Sequence, residues 1–460
     1  MKRKMTGVVL FLIVFISSFF ISPFGGFTNE SMKSLFVLVL AVILWICEPV
    51  PPGGAAVFIL IIPSLMGISS LKDMIAPFAN STIFFVIATF GLSAAISKVP
   101  LAKRILLFLL KLLGSSIKRI ILALMLATAL ISSVMSNIPA TLMFIGVSLS
   151  LLELYDDENE KKAAGRALMI ALPLSGMMGG SITPAGSSNN LIALSLLSEH
   201  GGVDVRFIDW ILICAPVVLV MLPFAWFLII KIFKPAEISR QTLERFVEEL
   251  KNLPKPDLKE YAVIIISAAM IILWIISSWY PAIDTTIVAV IGLTLMFLPG
   301  IELFTWKEFQ NEVSWTAILM TGSVLCVGSL INRNGVADWF AQTLFAADSS
   351  MSIPFLILNV ALFMAVMQVV LPNGPAAIAA TSVPVTASAL ALGINPALLI
   401  IPLTFMCSWA MILPLNPVPM LTYSMGYYKI TDISKVGIPV LIVLSLILSV
   451  WIPFITGFIN

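Results

Sequence analysis

The sequence has 460 residues, of which 60% are hydrophobic and 11% are charged, with a mean hydropathy of +1.07 and a formal net charge of +2. A soluble domain carries roughly 25% charged residues, so this composition excludes a soluble enzyme and predicts a surface that faces lipid. No basic patch is interleaved with aromatic residues, which argues against a nucleic-acid partner. The four cysteines are far apart and predict neither a disulfide framework nor a metal cofactor site.

Stretches apolar enough to cross a membrane recur along the whole chain, since one span needs about 20 such residues. The N-terminal stretch has the basic start and apolar run of a signal peptide, but no A-x-A cleavage site follows, so we expect an uncleaved first span. In chain order, the predicted spans lie near residues 7–28, 34–49, 54–68, 81–97, 167–198, 208–232, 261–280, 284–299, 314–332, 396–428 and 436–458.

Two further apolar stretches, 120–152 and 353–392, are too long for one span and too short for two spans with a loop. Each has Pro, Asn and small residues at its centre. We interpret them as re-entrant helical hairpins. The predicted fold class is therefore an all-α polytopic membrane protein with about eleven transmembrane helices and two re-entrant helical hairpins.

The distribution of basic residues tests this arrangement. With a cytoplasmic N-terminus, the inner segments are 1–6, 98–119, 153–166, 231–260, 300–312 and 427–435. All but four of the 26 Lys and Arg residues fall in these segments, the exceptions being Lys33, Lys72, Arg206 and Arg333. The positive-inside rule expects such an asymmetry. It predicts a multi-pass protein of the cell inner membrane with its N-terminus in the cytoplasm and its C-terminus outside.

The chain divides into two halves that have the same arrangement of segments. The predicted units are 1–230, with an inward-opening hairpin over 120–152 and a broken span over 167–198; a cytoplasmic amphipathic linker over 231–260; and 261–460, with an outward-opening hairpin over 353–392 and a broken span over 396–428. Because the two hairpins open to opposite sides, the halves form an inverted-topology repeat. Paired broken segments in such a repeat are the best pointer in a sequence to a transporter's binding site.

The polar residues of these broken segments indicate what they bind. In hydrocarbon, broken helices persist only where they line a cavity or bind something. Free N–H groups at helix starts favour an anion, whereas carbonyl and hydroxyl oxygens suit a hard cation such as sodium. Asn137 and Asn373 lie at equivalent hairpin centres and are predicted ligands. No Asp, Glu, His, Lys or Arg lies in the hairpins or broken spans, which disfavours a proton-driven carrier; Glu48 is expected at the membrane interface.

Two motifs add a family resemblance. The run WICEPVP from Trp45 to Pro51 is similar to a W-x-x-E-x-I-P pattern, and the Gly-rich run from Trp315 to Trp339 has a G-x-A-x-W ending. With the layout of spans and hairpins, they resemble the divalent anion/sodium symporter family of the ion transporter superfamily. The resemblance implies a scaffold and an elevator-like transport domain, usually in a homodimer, that carries dicarboxylates, citrate or sulfate, often with sodium.

The resemblance also implies two sets of site residues. The substrate-binding set comprises Asn137, Ile138, Ser187, Ser188, Asn373, Gly374, Pro417 and Val418. The sodium-binding set comprises Ser132, Ser136, Asn137 and Gly186 at a first site and Gln368, Pro372, Asn373 and Asn416 at a second. The chain departs from the family's Ser-Asn-Thr tips at Ile138 and Gly374, and from its Thr-Pro-Pro-Asn motif at residues 187–190, so both tip threonines are absent.

Together these observations predict a secondary active transporter of a small anion such as a dicarboxylate, a tricarboxylate or sulfate, coupled to sodium. The alternatives are an anion exchanger without sodium coupling and a cation/proton antiporter of the same superfamily. A membrane-embedded enzyme is disfavoured because the membrane segments offer no catalytic dyad or metal cluster. The expected partners are a small anionic substrate, sodium, the lipid bilayer and a second copy of the chain.

Overall fold

The computed structural model describes residues 2–23, 26–114, 116–336, 339 and 351–459. Within these ranges, the chain forms 21 α-helices and two short 3-10 turns, and it contains no β-strand. Residues 337, 338 and 340–350 lie outside the described residues, and so does part of the predicted G-x-A-x-W ending. The predicted all-α fold class is confirmed.

The first half contains eleven helices. They are α1 (Lys2–Ser17), α2 (Asn29–Cys47), α3 (Pro52–Leu65), α4 (Leu71–Ile75), α5 (Ser81–Ser97), α6 (Leu101–Leu113), α7 (Ile117–Ser132), α8 (Asn137–Leu152), α9 (Glu158–Gly179), α10 (Ser188–Gly201) and α11 (Phe207–Phe233). The 3-10 turns are Ala76–Ala79 and Pro184–Gly186.

The remaining ten described helices follow. They are α12 (Arg240–Leu250), α13 (Leu258–Ile276), α14 (Thr285–Met296), α15 (Trp306–Glu312), α16 (Trp315–Arg333), α17 (Ile353–Val370), α18 (Gly374–Ala391), α19 (Ala397–Ser408), α20 (Pro417–Tyr423) and α21 (Asp432–Ile459). Many begin at a polar cap, which satisfies amides that the helix itself leaves free. The Asp157 side chain, for example, accepts hydrogen bonds from the amides of Asn159 and Glu160 at the start of α9.

Seven of the described helices have at least 18 residues and are apolar enough to cross a membrane, and an eighth span results if α5 is joined to the bent segment before it. Five shorter apolar helices fall within the other predicted spans and hairpins: Lys4–Ser17, Pro52–Leu65, Asn137–Leu152, Thr285–Met296 and Ala397–Ser408. The first differs most from its prediction, because α1 ends at Ser17 and not near residue 28. The chain is a polytopic membrane protein.

Four helix breaks shape the interior. The chain leaves the helix between α7 and α8, between α9 and α10, between α17 and α18, and between α19 and α20. Helix α9 packs against α7, α8 and α11, while α18 packs against α10, α16 and α19. These segments approach closely: a Cβ added at Gly179 of α9 would lie 2.2 Å from the carbonyl oxygen of Ala129 in α7. The breaks are therefore held within a tightly packed core.

Ion pairs at the helix ends join segments that are predicted to share one side of the membrane. Arg104 donates to both carboxylate oxygens of Glu260, at 3.0 Å from Nη2 to Oε2. Lys98 pairs with Glu308 at 2.5 Å. In both pairs the two residues belong to predicted inner segments. Helix α12 of the linker packs against α6 through a face on which Leu243 and Phe246 are buried.

Candidate functional site

A cavity of about 360 Å³ lies where the four helix breaks meet. All eight residues of the predicted substrate-binding set line it: Asn137, Ile138, Ser187, Ser188, Asn373, Gly374, Pro417 and Val418. Six of the predicted sodium-binding residues also line it: Ser136, Asn137, Gly186, Pro372, Asn373 and Asn416. Ser132 and Gln368 do not border the cavity; both side chains are buried. The structure thus brings the two halves of the sequence together at one place.

Three long helices begin at this cavity, and the local sequence explains why they begin there. The Ser187 hydroxyl accepts a hydrogen bond from the Asn189 amide at 3.3 Å and caps α10. The Asn373 side chain accepts from the Ala376 amide at 3.3 Å and caps α18. Helix α8 follows directly after Ser136. Helix starts carry partial positive charge and free N–H groups, and none of the described lining residues is Lys or Arg. The cavity therefore suits an anion held by neutral groups.

Oxygen atoms of the first predicted sodium-binding set converge beside the first hairpin tip. The Ser132 hydroxyl lies 2.8 Å from Asn137 Oδ1 and 2.7 Å from the Gly176 carbonyl oxygen, and it can donate to either. A Cβ added at Gly186 would lie 2.6 Å from the Gly180 carbonyl oxygen and 2.9 Å from that of Ser132. Carbonyl, hydroxyl and amide oxygens are suitable ligands for a hard cation. The residues present fit a sodium ion.

The residues of the second predicted sodium-binding set make fewer and longer hydrogen bonds. Asn416 donates to the Pro372 carbonyl oxygen across a long 3.4 Å, and its own side-chain oxygen caps α20. Gln368 is only 4% exposed, and within the described part of the chain neither its Oε1 nor its Nε2 has a hydrogen-bond partner. A buried amide without partners is costly. This set fits a cation less fully, although Gln368 retains an unused oxygen.

Buried hydrogen bonds fix the two broken spans relative to each other. The indole of Trp409, at the end of α19, donates to the Ser181 hydroxyl at 2.9 Å. The indole of Trp210 donates to the Ser181 carbonyl oxygen at 3.0 Å. Asn190 donates to the carbonyl oxygens of Gly180 and Thr183 and so braces the break between α9 and α10. The first break is therefore tied to the second through Ser181.

The rest of the cavity lining comes from α3, α5, α16 and the end of α2, and the sequence did not predict it. Its residues include Glu48, Pro52, Phe90, Thr316, Ala317 and Met320. Glu48, which was expected at the membrane interface, is among the residues that line the cavity. Its backbone has a φ of 45°, in the left-handed region that non-glycine residues seldom adopt. Asn189 also lines the cavity, as its place in the polar run 187–190 indicated. Ser408 was missed, because the apolar sequence around it gave no indication.

The comparisons with known proteins agree with this picture. The family described as the sodium:sulfate symporter transmembrane region matches residues 2–456. A sodium-dependent dicarboxylate transporter, SdcS of Staphylococcus saprophyticus, is 24% identical, over 99% of this chain and 92% of that protein. Sodium-dependent high-affinity dicarboxylate transporter 3 of Caenorhabditis elegans is 22% identical, over 95% and 84%.

A solved structure shares the fold. The YdaH transporter of Alcanivorax borkumensis, whose topology is described as unusual, superposes with a TM-score of 0.54 at 13% identity. The superposition covers 93% of this chain and 99% of that one. The chain is a secondary active anion transporter, not an enzyme, and it belongs to the family of the sodium:sulfate symporter transmembrane region, the divalent anion/sodium symporters.

Proposed function

We propose that the protein couples the movement of a small anion to that of sodium, and that dicarboxylates, tricarboxylates and sulfate are the first substrates to test. The observation that carries the proposal is the cavity itself. Three helix starts meet there with no basic side chain among the described lining residues, and the Ser132–Asn137–Gly186 oxygens lie directly beside them. The related transporters from S. saprophyticus and C. elegans are sodium-dependent carriers of dicarboxylates.

Proteoliposomes containing the purified protein provide the test. Uptake of radiolabelled succinate, citrate and sulfate is measured with an inward sodium gradient and with potassium in its place. We expect uptake of at least one anion to require sodium. Uptake that needs a counter-anion inside the vesicle and ignores sodium would instead establish an exchanger. Sodium or proton movement without any anion would establish an antiporter and contradict the proposal.

We further propose that the four breaks move together past α3, α5 and α16, as an elevator. Support comes from the cavity lining, because residues of all four breaks line the cavity together with residues of α3, α5 and α16. Asn80, at the start of α5, donates hydrogen bonds to Ser195 and Glu199 of α10, which follows one of the breaks. Joining Asn80→Cys to Glu199→Cys with a short bismaleimide should therefore stop transport.

A matched pair tests whether cross-linking itself is harmful. Lys98 directly follows α5 and Glu308 lies in α15, and these two helices pack together. The pair Lys98→Cys and Glu308→Cys, linked with the same reagent, should leave transport intact. Equal inhibition by both cross-links would contradict the elevator.

The orientation and the homodimer are also proposals. The ion pairs between predicted inner segments support a common side for these segments. Cysteines placed near Lys161 should label only from the cytoplasm, and those near Arg206 only from outside. A homodimer of the inner-membrane protein is expected by light scattering in several mild detergents. A monodisperse monomer in all of them would contradict it.

A further inference from the structure

The side chain of Asn189 lies directly over the second hairpin tip. A Cβ added at Gly374 would sit 2.4 Å from Asn189 Nδ2 and 2.7 Å from Asn189 Oδ1. The amide is half-buried and borders the cavity. Within the described part of the chain, its Nδ2 makes one hydrogen bond, to the Ser408 hydroxyl, which is long at 3.5 Å. The amide group therefore has N–H donors to offer to a ligand, and it occupies the space that a side chain at position 374 would take.

This contact joins two departures from the family pattern. The pattern carries a threonine where this chain has Gly374, and a proline where it has Asn189. The structure shows that these positions share one volume, because a Cβ at 374 would overlap the Asn189 amide where it now lies. The hydroxyl lost from the second tip is thus matched by an amide that enters from the first broken span. A hydrogen-bond donor is therefore retained at the second tip, but the first broken span supplies it in place of the tip itself.

The first hairpin tip has no such replacement. Ile138 stands where the pattern has its other threonine, and its side chain is 37% exposed and borders the cavity. A hydrocarbon side chain cannot satisfy a second charged group of a ligand, and removing that group from water would cost free energy. The two ends of the site therefore differ in polarity, with an amide at the second tip and a hydrocarbon side chain at the first.

We propose that Asn189 is a substrate-binding residue, that its amide holds one anionic group at the second tip, and that the site recognises anions through a single charged head. The inference rests on the proposed function, because it assigns a role in the same cavity. The expected substrates are carboxylates that the site binds through one charged group, so a second charged group on the same molecule adds nothing to affinity. A carrier with two hydroxyl-bearing tips would instead favour symmetrical dianions.

Succinate and succinamate separate these cases, since succinamate keeps the shape of succinate and replaces one carboxylate by a neutral amide. Binding of each to the purified protein is measured by tryptophan fluorescence with sodium present. The wild-type protein should bind the two within about threefold of each other. Asn189→Ala should weaken both by about tenfold, the effect expected from losing a charge-assisted hydrogen bond. Asn189→Asp, which keeps the size but adds a negative charge, should weaken both further.

A double substitution tests the shared volume. Asn189→Ala combined with Gly374→Thr returns a hydroxyl to the vacated space and should recover most of the lost affinity. The matched control, Asn189→Ala with Gly374→Ala, adds a Cβ without a hydroxyl and should not recover it. This pair also separates a ligand role from general damage to folding, because both variants remove the Asn189 amide and replace the glycine at 374, and only one of them supplies a hydroxyl.

The outcomes are distinct. Unchanged binding in Asn189→Ala, or recovery by the Gly374→Ala control, would overturn the role of Asn189 while leaving the proposed function in place. Succinate binding more than tenfold tighter than succinamate in the wild-type protein would overturn the single-headed site. If the folded wild-type protein neither bound nor transported any anion of the panel, the proposed function would fail, and this inference with it.

Discussion

The two hairpin tips occupy equivalent places in the two halves of the chain, yet their surroundings differ in how fully the polar groups are paired. At the first tip, the Ser132 hydroxyl lies within 2.8 Å of both Asn137 Oδ1 and the Gly176 carbonyl oxygen. At the second, the Gln368 amide is buried without partners, and Asn416 makes only a long contact to Pro372. A repeated architecture therefore does not imply repeated chemistry. We expect the first region to bind sodium and the second to act mainly on the substrate.

The largest expected effect is at Asn137. Its side-chain oxygen both accepts from Ser132 and packs against Gly180, where an added Cβ would lie 2.1 Å away. Asn137→Ala should abolish transport, whereas Asn373→Ala should lower it by about tenfold, since it removes a helix cap worth about 1 kcal/mol and one ligand. Uptake into proteoliposomes at matched protein amounts measures both. Equal losses of transport at the two positions would contradict the proposed difference between the two hairpin tips.

The next effect concerns sodium affinity. Ser132→Ala removes a buried hydroxyl from the first oxygen cluster, and we expect the sodium concentration for half-maximal uptake to rise about tenfold, or about 1.4 kcal/mol. The sodium dependence of the wild-type protein should be shallow, with a Hill coefficient near one. A coefficient well above one would show that the second region also binds sodium.

A substitution at Gln368 tests directly whether the second region binds an ion. Replacing it with methionine removes two polar atoms that have no partner among the described residues. If the second region holds no ion, Gln368→Met should raise thermal stability by about 1–2 kcal/mol and leave the sodium response unchanged. Loss of stability together with weaker sodium activation would identify Gln368 as an ion ligand.

The smallest effect serves as a control remote from both tips. The hydrogen bond from Lys98, together with those from Thr305, lowers the pKa of Glu308 from 4.5 to about 2. The pair therefore stabilises the protein above pH 4.5, and this contribution is lost as the pH falls toward 2. The melting temperature of Glu308→Gln should lie slightly below that of the wild type at pH 7, and the gap should narrow below pH 4.5 and close as the pH approaches 2. Sodium dependence should not change.

The sequence predicted the class of fold well because its strongest features are local. Long apolar runs require helices in lipid, and the Pro and Asn residues at 137–139 and 372–375 interrupt them. The residues named for the substrate cavity followed from the same interruptions and from the family motifs. Their location around one cavity is observed, while their roles stay predictions.

The parts of the site that the sequence did not predict depend on contacts between segments that are distant in the chain. Nothing in the sequence near Thr316 or Met320 shows that this turn of α16 faces the cavity, because periodicity does not reveal which neighbour a helix meets. The overlap of Asn189 with Gly374 joins residues 185 positions apart. Only the packed structure shows that the two substitutions concern one volume.

The junction at Ser181 has a thermodynamic consequence. One residue receives the indole of Trp210 on its carbonyl oxygen and that of Trp409 on its hydroxyl, so a rearrangement of either break strains a bond to the other. Two ligands that each favour the same arrangement of this junction must then assist each other. By linkage, the factor by which the first raises affinity for the second equals the factor by which the second raises affinity for the first. Measuring one of these factors therefore fixes the other.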